Sequence, residues 1–198
     1  MNIFYKISML SGLVALVFVT PVYAQWQLDS AHSNLNFISI KKTSIAEVHQ
    51  FKIVTGEVTD AGNIHLVIDL SSVETQVSIR NERLKTMLFD VAQFPTADFN
   101  GSIDMSKVKA LKTGETLDMP VKGKLSLHGI TQDASAMLRL VKLRGNQIQV
   151  ATKMPIILNA DAYGLAAGID KLREAANLPV ISAAVPVTFN LVFVQSSH

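Results

Sequence analysis

The sequence predicts an all-β domain of about eight antiparallel strands, closed as a barrel or stacked as a sandwich, with two short helices. Three observations carry that expectation. Apolar residues recur at every second position in one run after another, short turns rich in Gly, Asn and Asp separate the runs, and two segments change to a helical spacing. A strand points successive side chains to opposite faces. Each run therefore has one apolar and one wetter face, the habit of antiparallel sheets with one buried side.

Ahead of the first strand, Met1 to Lys6 forms a short charged start and Ile7 to Val19 an apolar run. Pro21-Val22-Tyr23-Ala24 then places Val22 and Ala24 at the small-residue positions a signal peptidase reads. The expected outcome is export and cleavage after Ala24. An uncleaved anchor is the competing reading, but the run is short against the roughly 20 apolar residues of a full span. No later apolar segment is long enough to cross a bilayer, and no linker or repeat divides the rest, so residues 25–198 read as one domain.

The runs follow in order. Leu35 and Phe37 share a face, yet Ile38 and Ile40 lie on the other, which calls for a β-bulge or bend, or else a strand buried on both sides. The run Phe51 to Val58 ends at Asp60-Ala61-Gly62-Asn63, after which Ile64, Leu66, Ile68 and Leu70 alternate with His65, Val67 and Asp69. Ser78 to Phe89 reads as a helix, with Ile79, Arg83, Leu84, Met87 and Leu88 forming a stripe. Lys112-Thr113-Gly114-Glu115 separates two further runs, the second carrying Val121, Gly123, Leu125 and Leu127 on one face. Arg144-Gly145-Asn146 divides Asp133 to Leu143 from Gln147 to Leu158, where Ile148 and Val150 alternate with Gln147 and Gln149. Ala166 to Asn177 is the second helix, stopped by Pro179. Val185, Val187, Phe189, Leu191 and Phe193 mark the last strand.

Composition removes several function classes. A formal net charge of +2 gives no general attraction for nucleic acid. The chain has no cysteine, so it can have neither disulfides nor a thioether-linked lipid, and its fold rests on its core. The histidines show no metal-ligand spacing: His32 and His49 fall near strand ends, His65 and His128 on polar faces, and His198 is terminal. No metal and no catalytic residue is assigned. Asp29, His32 and Ser33 have the residue types of a hydrolase triad but are too close on one extended segment to build it. The simpler expectation is a hydrogen bond from His32 to Asp29 that fixes the strand start. Nucleophile-elbow, phosphate-loop and dinucleotide motifs are missing from the sequence.

The inward positions are mostly of medium or small size. Trp26 is the single tryptophan, and Ala134, Ala136 and Gly123 leave volume unfilled. A barrel of eight strands is either plugged by its own side chains or wide enough for one ligand, and periodicity alone leaves both open.

Five stretches, in this order, resemble the YceI-like family: Asp29-Ser30-Ala31-His32-Ser33; Phe51-Lys52-Ile53-Val54-Thr55-Gly56; Arg80-Asn81-Glu82-Arg83-Leu84 leading into Phe89-Asp90-Val91-Ala92-Gln93-Phe94-Pro95-Thr96-Ala97-Asp98-Phe99; Gly123-Lys124-Leu125-Ser126-Leu127-His128-Gly129-Ile130-Thr131; and Asp161-Ala162-Tyr163-Gly164-Leu165. The resemblance implies an extended eight-stranded antiparallel, lipocalin-like barrel in the periplasm that holds a long isoprenoid chain, of a quinone or a polyprenyl phosphate, and is not an enzyme. It implies a bound lipid and no cofactor. The ligand-facing positions it suggests are Phe37, Ile53, Leu66, Ile68, Phe99, Leu125, Leu127, Leu138, Leu140, Ile148, Val150, Val187, Phe189 and Leu191. Arg80 and Arg83 are candidates for a head group, against the alternative of a solvated helix face or ion pairs to Glu82 or Asp90. Phe89, Phe94 and Phe99 read as core, with room for a quinone ring among them. A membrane or membrane-cytochrome contact and a homodimer are the partners to test. A packed structural module and an enzyme on a small exported substrate are the alternatives, the latter needing a polar cluster that the alternation does not supply. Ala166 to Ser182 departs from the family pattern, so the barrel mouth is expected to differ there.

Overall fold

The computed structural model describes residues 25–196. The signal-peptide expectation for residues 1–24 lies outside the described residues, as does His198. In chain order the strands and helices are β1 (Gln25–Leu28), β2 (Asn34–Lys41), β3 (Ile45–Phe51), β4 (Val54–Thr59), β5 (Asn63–Asp69), β6 (Val73–Glu74), α1 (Ser78–Arg83), β7 (Thr96–Ser102), α2 (Met105–Lys109), β8 (Thr116–Leu127), β9 (Ile130–Lys142), β10 (Gln147–Thr152), β11 (Ile156–Asn159), α3 (Ala166–Ala175) and β12 (Ala184–Gln195).

Neighbouring strands pair antiparallel, and the path β1–β4–β5–β7–β8–β9–β10–β12 returns to β1, closing a barrel of eight strands. The remaining four strands are extensions of the wall. β2 continues β1, β3 precedes β4, β6 continues β5 and β11 continues β10, each across a short break. The long β12 spans the whole height: its Phe193–Gln195 end pairs with β1, and Val187–Asn190 pairs with β2. Closure leaves no open edge along this ring, which is how a sheet escapes edge-to-edge association.

Three of the breaks lie side by side and form a bent seam. At the first, the Asp29 carboxylate accepts from the Ala31 amide at 3.1 Å and from His32 Nδ1 at 2.8 Å, while Ser33 Oγ donates to the Asp29 carbonyl at 2.7 Å and accepts from the Val192 amide at 2.9 Å. Ser30 Oγ donates across to the Val54 carbonyl at 2.6 Å. Asp69 repeats the device, accepting from the Ser71 amide at 2.8 Å, and Ser72 Oγ accepts from the Ile53 amide at 3.1 Å. The hydrogen bond expected between His32 and Asp29 is present, and the residues that resembled a triad cap a turn.

The inward faces of the lower wall form one cluster, with Trp26, Val58, Ile64, Met119, Val121, Leu138, Leu140, Ile148, Leu191 and Phe193 buried. Helix α2 closes this end by adding Met105 and Val108. The opposite end is covered by α1, a π turn over Leu84–Leu88, and α3. Gly168 of α3 allows that cover to be tight: a Cβ there would sit 2.7 Å from the Met87 carbonyl oxygen.

Several expectations need correction. The phase slip in β2 is not a bulge, because β2 pairs with β3 without interruption from Leu35↔Phe51 to Lys41↔Ile45. Ile38 and Ile40 are half-buried residues on the outer face. Among the described residues there are three α-helices, since α2 precedes the Lys112–Glu115 turn where a strand was expected. Gly123 does not leave a void. The Phe99 ring occupies that space, 2.6 Å from where a Gly123 Cβ would stand and 2.7 Å from a Gly101 Cβ.

Candidate functional site

The barrel encloses a cavity of about 410 Å³ that runs from the α2 end to the opening between α1, α3 and the β2–β3 hairpin. Its volume falls within the roughly 300–1,000 Å³ of small-molecule sites. Alternation builds its wall. On β12, Val185, Val187, Phe189, Leu191 and Phe193 line it; on β5, Ile64, Leu66 and Ile68; on β8 and β9, Val121, Leu125, Leu127, Ala134, Ala136, Leu138 and Leu140. Thirteen of the positions suggested from sequence line the cavity: Phe37, Leu66, Ile68, Phe99, Leu125, Leu127, Leu138, Leu140, Ile148, Val150, Val187, Phe189 and Leu191.

Ile53 is the exception. It is 50 % exposed and lies outside the cavity wall. The reason is the corner between β3 and β4: Phe51 and Val54 both face inward, so the two residues between them, Lys52 and Ile53, are turned out. Period-two counting fails across such a break.

The cavity ends differ. At the closed end Trp26 is 4 % exposed, its ring under the Lys142 ammonium at 4.8 Å, and its Nε1 has no hydrogen-bond partner among the described residues. Toward the opening, the inward face of the β2–β3 hairpin turns polar. Leu35 and Phe51 come first, then Phe37 opposite His49, then Ser39 opposite Glu47, then Lys41. His49 is 4 % exposed; its Nε2 is 2.8 Å from Ser39 Oγ and its Nδ1 has no partner among the described residues. Burial first, and then the positive charge of Arg80, holds His49 below the ordinary imidazole range and so favours its neutral form. Glu47 receives Lys41 Nζ and Arg80 Nη1, each at 2.8 Å, and these contacts hold its carboxyl below the usual range, with the Lys41 bond the largest cause. This cluster was missed from sequence, where the barrel interior was expected to hold almost no polar groups and His49 was placed near a strand end. The signal was the odd-numbered register Phe37, Ser39, Lys41, which carries the inward face straight into polar residues.

Both candidate arginines line the opening. Arg80 Nη1 pairs with Glu47, rather than with Glu82 or Asp90, and Nη2 donates to the Thr75 carbonyl at 2.7 Å; its Nε is buried without a partner. Arg83 Nη1 donates to the Ala175 carbonyl at the end of α3 at 3.2 Å. Asn81 between them is structural: its side-chain oxygen accepts from the Thr75 amide at 2.9 Å and hydroxyl at 2.6 Å. The segment that departed from the family pattern forms the other rim, with Leu172, Ala176, Leu178, Ile181 and Ser182 on the cavity and Ser182 N bonded to the Ile40 carbonyl at 2.9 Å. Of the three phenylalanines, Phe89 and Phe99 line the cavity, whereas Phe94 packs on His128 with ring centroids 4.6 Å apart. Phe37, Phe51 and Phe89 form an aromatic ladder at 5.2 and 5.8 Å beside His49. Among the described residues no group of three or more His, Asp or Glu converges as a metal site would.

The fold and the sequence both have relatives. The YceI-like domain model matches residues 26–193. A polyisoprenoid binding domain from Saccharophagus degradans, implicated in plant cell wall breakdown, is 37% identical with a TM-score of 0.84, over 86% of this chain and 98% of that one. BcnA of Burkholderia cenocepacia is similar in fold at 19% identity and a TM-score of 0.65, covering 83% of this chain and 98% of that one. The Campylobacter jejuni YCEI protein is similar in fold at 15% identity and a TM-score of 0.53, covering 80% of this chain and 91% of that one. A search of curated proteins finds no match. With its closed eight-stranded wall, apolar interior and a family match over nearly the whole described length, the chain belongs to the YceI-like domain family.

Proposed function

We propose that the protein is an exported, non-enzymatic lipid carrier that holds one isoprenoid chain, of a quinone or a polyprenyl phosphate, inside its barrel. The observation that carries this reading is the cavity, walled almost throughout by aliphatic and aromatic side chains yet not plugged by them. Each CH₂ moved from water into such a space contributes about 0.8 kcal/mol, so a prenyl tail supplies affinity without polar contacts. The Saccharophagus degradans domain, named for polyisoprenoid binding, supports the choice of lipid at 37% identity. The composition of residues 1–24 supports export to the periplasm. Exposed Ile45, Ile79 and Met87, on the β2–β3 hairpin, α1 and the π turn, with Val77 just before α1 and Val180 bonded to Lys42 of the hairpin, support exchange of the lipid at a membrane surface.

The test is mass spectrometry of an organic extract from protein purified without detergent. The expected result is a prenyl lipid at about one per chain. An extract free of lipid, from protein that also takes up none when prenyl lipids are supplied, refutes the reading.

A further inference from the structure

We propose that the lipid lies tail-inward, and that His49 and Arg80 hydrogen-bond an acceptor oxygen of its head group at the opening. This rests on the lipid-carrier reading and assigns the orientation and the head-group contacts, which that reading leaves free.

Buried polar atoms in folded proteins nearly all have partners, so orphans inside an apolar cavity need an explanation, and a missing ligand is one. Two of the orphans, His49 Nδ1 and Arg80 Nε, belong to residues that both line the cavity and meet around Glu47: Arg80 through its 2.8 Å ion pair, His49 through its place one step along the same inward face. Arg80 Nε–H can only donate. For His49, Ser39 Oγ is 2.8 Å from Nε2. When the hydroxyl donates to Nε2, the neutral ring carries its proton on Nδ1 and donates it to the ligand. Two donors without acceptors ask for an oxygen lone pair, which a quinone carbonyl, a prenol hydroxyl and a phosphate all offer.

The third orphan, Trp26 Nε1, poses the reverse orientation. Its surroundings speak against it. Its core neighbours Val58, Ile64, Met105, Val108 and Phe193 are apolar, whereas the opening adds Ser39, Lys41, Glu47 and Arg83 to its two donors. The Lys142 ammonium over the Trp26 ring is not part of the cavity lining, so a head group at that end meets one donor, Trp26 Nε1, whereas at the His49 end it meets several polar groups in exchange for its hydration.

Four ligands with one C20 tail separate the possibilities: geranylgeraniol, menaquinone-4, geranylgeranyl phosphate and the hydrocarbon without oxygen. Affinities are measured by calorimetry on lipid-stripped protein. In the wild type at least one oxygen-bearing ligand binds about tenfold or more tighter than the hydrocarbon, the size expected from one or two hydrogen bonds. His49→Phe, which keeps the ring packed on Phe37, and Arg80→Lys, which keeps the pair with Glu47, each bring that ratio to within about threefold while hydrocarbon binding persists, which also shows that the variants fold. Trp26→Phe shifts all ligands together and preserves the ratio. The arm in which His49→Phe acts names the oxygen. A wild type that prefers no oxygen-bearing ligand, a ratio that survives either His49→Phe or Arg80→Lys, or one that collapses in Trp26→Phe overturns the proposal while leaving the carrier reading intact. Failure of all four ligands to bind defeats the carrier reading itself.

Discussion

Leu191 and Ile53 show how much one position decides. Leu191 is 1 % exposed on the inner face of β12, and Ile53 stands half-exposed at a corner. Leu191→Ala is expected to cost about 2–5 kcal/mol in urea unfolding, and Ile53→Ser to stay within about 0.5 kcal/mol. His49 gives a pH prediction with a definite sign. Its folded pKa lies below the ordinary 6.5, so the unfolded chain takes up a proton first as the pH drops. The contribution is complete above about pH 6.5 and is lost as the pH falls below it toward the folded pKa. Urea unfolding at pH 7.5 and 5.5 should show lower stability at the acid value, and His49→Phe should flatten that difference. Residue-level reading of the sequence succeeded wherever alternation ran unbroken, as from Ile64 to Ile68 and from Val185 to Phe193. It failed at Ile53 because a corner resets the phase, and at His49 because polar residues on an inward face look, in sequence, like the outward face.

Among the elements, the two longer helical segments were legible from their stripes, although Leu84–Leu88 continues α1 as a π turn. Helix α2 was not, because five residues give too short a stripe to separate from a strand. The strand breaks were equally hidden: Asp29 and Asp69 cap turns whose residues look no different from strand residues. The β7–β8 pair depends on Gly101 and Gly123 lying under the Phe99 ring. Gly123→Ala would drive a Cβ first into the Asn100 carbonyl oxygen and then into that ring, and should destabilise by about 1–3 kcal/mol and reduce the lipid taken up per chain. The anchor of α1 carries its own pH dependence. Glu74 is held down to about 2, first by the bond from Lys52, then by those from Asn81 and the Gln76 amide. Its contribution is present above about pH 4.5 and is lost as the pH falls toward 2. The protection of residues 78–88 against hydrogen exchange, taken relative to the intrinsic rate at each pH, should therefore fall over that interval, and Glu74→Gln should show the lower protection already at neutral pH.

At the scale of the molecule, about eight strands were readable from turn spacing, whereas a single buried face fits a sandwich as well as a barrel, so closure was expected only through the family resemblance. Whether the inside was full or hollow was not readable. It depends on how large rings such as Phe99 and Phe189 lean along the wall, and no periodic pattern records that. A hollow barrel makes stability depend on its guest. Protein stripped of lipid should melt lower than loaded protein, and the difference should grow with free ligand as the logarithm of its concentration over Kd. Scanning calorimetry at two ligand concentrations checks this. The most direct test of a lipid within the barrel uses Trp26, the chain's single tryptophan, whose ring lines the closed end of the cavity. Lipid-stripped protein titrated with menaquinone-4 should lose Trp26 emission along a saturable curve ending at one ligand per chain. Emission that is unchanged at saturating ligand, or that falls in proportion to ligand without saturating, would contradict a tail inside the wall.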